Sequence, residues 1–293
     1  MKNKLSLFAV PYVGWMSIFV VAPIIIMVVY AFSTAAGDFT LENFARMGTY
    51  TAVFTRSFKL AIIATLIALL IGYPVSYMLS KEGPQVQRIA MVLIMLPMWM
   101  NFLLRTYSWM SILENNGLLN QLFQQIGLID LYNQIAMHFA SDPAAYVPID
   151  HFQMIGTQGA VVLGMVYNYL PFMILPIYSV LLKLDNSLLE AARDLGASSA
   201  RVFRKITLPL SLPGVLSGIT MVFVPAVSTF AISKMLGGGT QIMLGDLIEM
   251  QFLGNAYNLN VGSAMSLVLM IIVLLCMRVM NRFGDGEEQA VML

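Results

Sequence analysis

The stretch LAIIATLIALLIGYPVSYML, residues 60–79, has no charged side chain in twenty residues. A helix of about this length spans the roughly 30 Å hydrocarbon core of a bilayer. The apolar residues run continuously instead of alternating, which favours a helix over a strand of a membrane barrel. A helix also satisfies its own backbone amides within lipid. The sequence of residues 60–79 therefore predicts a transmembrane helix.

Further apolar runs lie on both sides of this stretch. They cover about residues 7–32, 89–112, 160–182, 213–235 and 262–280. The chain is 59% hydrophobic and 11% charged over 293 residues, which is more apolar surface than one soluble core can hide. The first run is too long for a cleaved signal peptide. We expect an all-α polytopic membrane protein with six transmembrane helices, forming one transmembrane domain over residues 1–293.

The basic residues are distributed unevenly between the two sides of this predicted bundle. With the N-terminus in the cytoplasm, eleven of the sixteen fall on the inner side: Lys2, Lys4, Lys81, Arg88, Lys183, Arg193, Arg201, Arg204, Lys205, Arg278 and Arg282. Residues 106–182 contain no Lys or Arg. The positive-inside rule therefore predicts a multi-pass protein of the cell membrane with both termini and residues 183–208 in the cytoplasm. Residues 114–156 are expected outside.

The predicted outer side is acidic, although the net charge of the chain is only +1. It carries Glu114, Asp130, Asp142, Asp150, Asp38, Glu42, Asp246 and Glu249. Such a surface attracts a cationic solute. The near-neutral total gives no indication of a nucleic-acid partner.

The loop between the fourth and fifth runs reads KLDNSLLEAARDLGASSARVFRKITLP, residues 183–209. Ser187 precedes Glu190 by three residues, the spacing of a capping box that opens a helix. Gly196 suits the left-handed residue that closes such a helix. Ser198 is placed to cap a second one. The loop is predicted to form two short cytoplasmic helices joined at a glycine.

The second of these helices is predicted to be amphipathic. Val202, Phe203 and Ile206 form an apolar stripe, and Pro209 is expected to end the helix before the fifth span. The other face carries the basic residues Arg201, Arg204 and Lys205. A helix of this kind lies on lipid headgroups or fills a groove in another protein.

The spacing in this loop resembles the EAA loop of binding-protein-dependent ABC importer permeases. Seven positions carry the pattern: Glu190, Ala191, Ala192, Gly196, Ile206, Leu208 and Pro209. The similarity extends over nearly the whole chain and is closest to the polyamine (spermidine/putrescine) branch. The similar stretches are Gly72-Tyr-Pro-Val, Asn116-Gly-Leu-Leu-Asn, Leu170-Pro-Phe-Met, Leu189-Glu-Ala-Ala-Arg-Asp-Leu-Gly-Ala-Ser and Gln251-Phe-Leu.

This resemblance implies a non-catalytic permease subunit that moves a polyamine by alternating access. The implied partners are a second homologous permease subunit, two nucleotide-binding ATPase subunits, an extracellular polyamine-binding protein and the bilayer. ATP and Mg would be held by the ATPase subunits. The seven EAA positions and Arg201 would transmit ATP-driven motion. This chain has no P-loop, since Gly237-Gly-Gly-Thr lacks the lysine, and no predicted catalytic or metal site.

Candidates for the solute path are polar or aromatic residues at membrane depth or at the outer mouth, because burying such groups is costly unless they serve a path or pair internally. They are Trp99, Asn101, Arg105, Tyr107, Tyr167, Asn168, Tyr169, Asp246 and Glu249. Aromatic faces and carboxylates attract ammonium groups. The alternative roles for these residues are an aromatic belt at the lipid headgroups, helix packing, or a solvated loop face.

Other functions remain open at this point. An intramembrane enzyme needs paired aspartates or a Ser and His on facing helices, and the six runs contain neither Asp nor His. A secondary transporter fits poorly with an EAA loop and no evident internal repeat. Within the ABC class, the alternative solute is a metal ion, an oxyanion or a quaternary amine.

Overall fold

A computed structural model describes residues 10–139, 146–254 and 257–291. These ranges are helical with short connections, and the predicted all-α fold class is confirmed. Lys2, Lys4 and Asp142, used in the topology prediction, lie outside them. The helices are α1 (Val10–Ala31), α2 (Glu42–Arg46), α3 (Thr51–Ser80), α4 (Pro84–Trp99), α5 (Phe102–Leu113), α6 (Leu118–Gln125), α7 (Leu128–Phe139), α8 (Gln158–Leu182), α9 (Asn186–Asp194), α10 (Ser199–Val202), α11 (Leu208–Ser228), α12 (Ala231–Leu236), α13 (Leu244–Leu253) and α14 (Leu259–Val291).

Within the described ranges, five helical segments are long and apolar enough to cross a membrane. They are Val10–Ala31, Glu42–Ser80, Gln158–Leu182, Ser199–Ser228 and Leu259–Met280. The helices α4 and α5 meet the same test only as a pair, and they are bent by 91°. The predicted number of six spans therefore holds when this bent pair counts as one. The prediction of a continuous helix over residues 89–112 is wrong.

The break between α4 and α5 has a local cause. Met100 is extended (ψ 149°), and Asn101 caps α5 by accepting hydrogen bonds from the amides of Leu103 (2.9 Å) and Leu104 (3.3 Å). A new helix start exposes amides that have no intrahelical acceptor. The Asn101 side chain satisfies two of them, so the chain bends within an apolar region at low cost.

The fifth span also differs from its predicted bounds of 213–235. It ends at Ser228, because Thr229 is extended (ψ 143°), and the short α12 follows. The start of α13 fills the space at this break. A Cβ atom on Gly245 would collide with the carbonyl oxygens of Ser228 and Thr229. Only a glycine lets α13 approach the end of α11 this closely.

The core of the bundle is formed by α3, α8 and α11. Gly72 of α3 and Gly218 of α11 both pack against Met173 of α8, where an added Cβ would lie 2.9 Å from Cγ and 2.8 Å from Sδ, respectively. The Ser76 hydroxyl donates to the Ile174 carbonyl across the same interface (3.1 Å). Small residues and cross-helix hydrogen bonds are the usual means of close helix packing in membranes.

Candidate functional site

The EAA loop, residues 183–209, opens with a cap that differs from the predicted one. Asp185 is the N-cap of α9, and its Oδ1 accepts the Ser187 amide at 2.9 Å. The predicted Ser187–Glu190 capping box is therefore wrong. An aspartate accepts an amide at the N-cap as well as serine does, and it comes two residues earlier. The Ser187 backbone amide holds the pKa of the Asp185 carboxyl below its ordinary value.

The end of α9 follows the prediction. Gly196 has φ +79°, and its amide donates to the Arg193 carbonyl (2.8 Å). The next amide, that of Ala197, donates to the Ala192 carbonyl (3.0 Å). These two bonds form a Schellman motif, which places a left-handed residue after the helix. A Cβ at Gly196 would meet no atom within 4 Å, so the need for glycine is conformational.

The second half of the loop begins at Ser198, although its side chain makes no capping bond. The predicted stripe is present, since Val202 is buried and the Phe203 ring meets Tyr77 edge-on (5.3 Å between centroids). The expected end at Pro209 is wrong. A π-helical turn over Phe203–Thr207 leads directly into α11. A wider turn just before a proline accommodates its missing amide.

The exposed side of the EAA loop is more apolar than the sequence pattern suggested. Leu195 is 90% exposed, and Leu188 is also exposed, although neither was among the predicted coupling residues. Of the predicted set, Glu190, Ala191, Gly196, Arg201 and Leu208 are exposed, whereas Ala192, Ile206 and Pro209 are partly buried. A short amphipathic segment of this kind lies on lipid headgroups or fills a groove in another protein.

A cavity of about 370 Å³ lies between α12 and α13, in the segment that connects the fifth and sixth spans at the end opposite the EAA loop. We call it the acidic cavity; it is lined by Ser233, Lys234, Gly239, Ile242, Asp246, Glu249, Met250, Leu253 and Gly254. The predicted pair Asp246 and Glu249 thus shares one site. Lys234, which the sequence reasoning did not single out, places its Nζ 3.0 Å from both carboxylate oxygens of Glu249.

Asp246 is the most enclosed acid of this cavity. Its side chain is held at the start of α13, where Oδ2 accepts the Met243 amide at 2.8 Å. The residue is 5% exposed, and its Oδ1 is a buried atom without a hydrogen-bond partner among the residues that the structure describes. Burial raises the pKa of this carboxyl, while the neighbouring Ser233 hydroxyl and the Met243 amide oppose the shift. The alternative of a solvated loop face is therefore wrong for Asp246.

A second cavity adjoins the first at Lys234. We call it the Glu114 cavity, and it is lined by Tyr107, Met110, Glu114, Asn115, Asn116, Ile155, Lys234, Met235 and Gly238. Tyr107, one of the predicted path residues, thus lines a cavity that shares Lys234 with the acidic cavity. The Lys234 side chain is 60% exposed. It lies between the carboxylates of the acidic cavity and the carboxylate and amide oxygens of the Glu114 cavity.

The remaining path candidates do not gather in one place. Trp99 is 76% exposed at the end of α4 and lines neither cavity. Asn101 caps α5, as described above. The Tyr167 ring packs edge-on against Trp109, with 5.3 Å between the centroids. The Tyr169 hydroxyl contacts the Pro225 carbonyl at 3.5 Å.

Two buried polar side chains in this region have unsatisfied atoms. Asn168 is 2% exposed and donates to the Gly164 carbonyl (2.9 Å), but its Oδ1 has no partner. Arg105 is buried, and its Nε and Nη1 atoms have none. Buried unpaired polar atoms are unusual and costly. Asn168 and Arg105 therefore remain candidates for contact with a solute or a partner.

Residues 68–286 match the family described as "Binding-protein-dependent transport system inner membrane component". Two similar proteins are named "Spermidine/putrescine transport system permease protein PotB". The one from Salmonella typhimurium is 36% identical over 272 residues, 90% of this chain and 88% of that protein. The one from Haemophilus influenzae is 35% identical over 290 residues, 96% of this chain and 94% of that protein.

A solved structure shares the fold. It belongs to a bacterial ABC transporter involved in the import of the acidic polysaccharide alginate. The TM-score is 0.77, with coverage of 97% of this chain and 96% of that chain. Sequence identity is 15%, so this likeness concerns the fold alone.

Proposed function

Because the chain belongs to the family of binding-protein-dependent transport system inner membrane components, we propose that it is the permease subunit of an ATP-driven polyamine importer. The family is one of multi-pass inner-membrane subunits, and ATP hydrolysis belongs to a partner. We further propose that both termini are cytoplasmic. The proposal of a polyamine as solute follows the name of the similar PotB proteins.

The EAA loop carries this proposal. It consists of two short helices, α9 and α10, and continues through a π-helical turn into α11. Leu188 and Leu195 are exposed on it. An amphipathic helix with an uncovered apolar side fits a groove in a partner. We assign this groove to one of the two ATPase subunits, which hold ATP and Mg. Glu190, Ala191, Ala192, Gly196, Arg201, Ile206, Leu208 and Pro209 would form or support the contact.

The acidic cavity supports a cationic solute. Asp246 and Glu249 face one space on the side of the bundle opposite the EAA loop. At about 4 Å, Coulomb attraction is roughly 4 kcal/mol at an effective dielectric near 20, against about 1 kcal/mol in bulk water. Partly enclosed carboxylates therefore attract ammonium groups more strongly than solvated ones. We propose that an extracellular binding protein delivers the polyamine here, beside a second permease subunit.

The experiment is uptake of labelled putrescine and spermidine by the assembled complex, with Gly196→Val in the EAA loop. A β-branched residue resists a left-handed backbone, at a cost of roughly 1–2 kcal/mol or more. We expect uptake to fall at least about fivefold. Gly196→Asn is the matched control, since asparagine tolerates this conformation, and it should transport nearly normally.

Assembly is checked by co-purification with the ATPase subunits, and solute binding to the separate binding protein should be unchanged. A Gly196→Val complex that assembles and imports at the normal rate would show that this loop does not couple ATP hydrolysis to transport. A wild-type complex that hydrolyses ATP but imports neither polyamine would contradict the assignment of the solute.

A further inference from the structure

Lys234 occupies the place that an ammonium ion of a solute would take. Its Nζ is shared equally between the two oxygens of Glu249, at 3.0 Å from each. A lysine side chain is a primary ammonium at the end of four methylenes, which is also the chemistry of the end of a linear polyamine. The acidic cavity therefore already holds a cation of that kind, tethered to α12.

A second acceptor in the same cavity is unused. One oxygen of Asp246 accepts the Met243 amide. The other, Oδ1, has no partner within the described part of the chain, although the residue is only 5% exposed. The nearby Ser233 hydroxyl is engaged with the Phe230 carbonyl at 3.0 Å. A buried unpaired carboxylate oxygen is costly and gains much from a cationic donor.

A second cavity offers Lys234 other acceptors when its ammonium group leaves Glu249. It lines the Glu114 cavity as well as the acidic cavity, and its side chain is 60% exposed. Glu114 and the amides of Asn115 and Asn116 supply acceptors there. A flexible lysine can therefore change partners without being left unpaired in a closed space.

We propose that Lys234 is a tethered competitor for the solute, and that the ammonium of an arriving polyamine displaces it from Glu249 and binds between Glu249 and Asp246. This inference rests on the proposed function. The Lys234–Glu249 pair joins α12 to α13, so its displacement removes one contact between the two helices. Displacement is then selective, because a solute without an ammonium group does not compete for Glu249.

The test uses the reconstituted complex with its binding protein and compares Lys234→Met with wild type. Methionine keeps most of the side-chain length and removes the charge. We expect ATP hydrolysis without solute to rise at least about fivefold, the low end of typical coupling between sites. The half-saturating concentration of putrescine should fall, because its competitor is gone. Lys234→Arg should stay close to wild type in both measurements.

Arg46→Met is the matched control, since it removes an ion pair of similar length, 2.9 Å to Glu42, that lies outside both cavities. It should change neither measurement. Lys234→Gln serves the same purpose as Lys234→Met if the latter does not assemble. If wild type imports putrescine while both uncharged variants keep the normal basal ATP hydrolysis and half-saturation, the competitor role is wrong and the proposed function stands. If wild type imports no polyamine, the proposed function itself fails.

Discussion

A carboxylate at Asp185 begins the EAA loop, and its charge matters for the local structure. The ionised form is the better acceptor for the Ser187 amide, which is why the pKa of Asp185 is lowered. A lowered pKa means that the unfolded helix binds the proton more readily than the folded one. The stabilisation is therefore complete above the ordinary aspartate pKa of about 4 and is lost as the pH falls through the lowered value.

We expect Asp185→Ala to unfold the first turn of α9, whereas Ser187→Ala should have little effect. The alanine at the N-cap leaves amides without an acceptor, and typical losses of protection are about fivefold. Hydrogen exchange of the peptide over residues 183–197 measures this, corrected for the intrinsic effect of pH. The protection in wild type should fall in acid, and that in Asp185→Ala should not. A larger effect of Ser187→Ala than of Asp185→Ala would support the predicted capping box instead.

The two ends of α9 show what the sequence can specify at this scale. Gly196 was predictable, because a left-handed residue after a helix strongly favours glycine. The N-cap was not, because Asp185 and Ser187 both have the right chemistry and lie two residues apart. Lys234 was missed for a different reason. Its partner Glu249 is fifteen residues away, on another helix, and no local spacing marks such a pair.

At the scale of helices, composition predicts which segments span the membrane but not where they bend or end. Apolar length identified every span, but the bend at Met100 and Asn101 was invisible to it, because the residues on both sides are apolar. The end of α11 at Ser228 was missed for the same reason. Each break depends on one side chain or its absence: the Asn101 amide group in one case and the bare Gly245 in the other.

Asn101→Ala is expected to destabilise the bend between α4 and α5. The loss of its acceptor leaves the Leu103 and Leu104 amides unpaired, at about 1 kcal/mol, or roughly fivefold in amide protection. Hydrogen exchange over residues 100–110 reports the change. Asn101→Ser keeps a capping oxygen and should behave like wild type. Equal protection in the two variants would mean that the cap does not hold the bend, and Asn101 would then be better explained as a path residue.

On the scale of the whole molecule, charge defines the two sides less sharply than the sequence suggested. Glu42 pairs with Arg46 and Glu249 with Lys234, so part of the predicted acidic side is neutralised within the chain. The first pair is readable from its i, i+4 spacing. The excess of basic residues near the EAA loop is unaffected by these pairs. The predicted orientation therefore still rests on the positive-inside rule.

Cysteine labelling tests this orientation. With Cys276→Ala as background, Asp150→Cys and Ser199→Cys are treated on intact cells with a membrane-impermeant thiol reagent. Both positions are exposed in this chain, so access depends on the membrane alone when the chain is expressed without the ATPase subunits. Labelling is expected at position 150 and not at 199 until the cells are opened. The reverse pattern would invert the topology and remove the EAA loop from the reach of a cytoplasmic ATPase.

The continuous helical segment from Ser199 to Ser228, which includes the π-helical turn, has a consequence for timing. Its thirty residues are about 45 Å long, and its far end meets Gly245 with no room even for a methyl group. There is no slack in this contact to absorb a displacement. Under the proposed function, a shift imposed at Arg201 by an ATPase subunit would therefore reach α13, with Asp246 and Glu249, in the same movement. We therefore expect nucleotide binding on one face and rearrangement of the acidic cavity on the other to be simultaneous instead of successive.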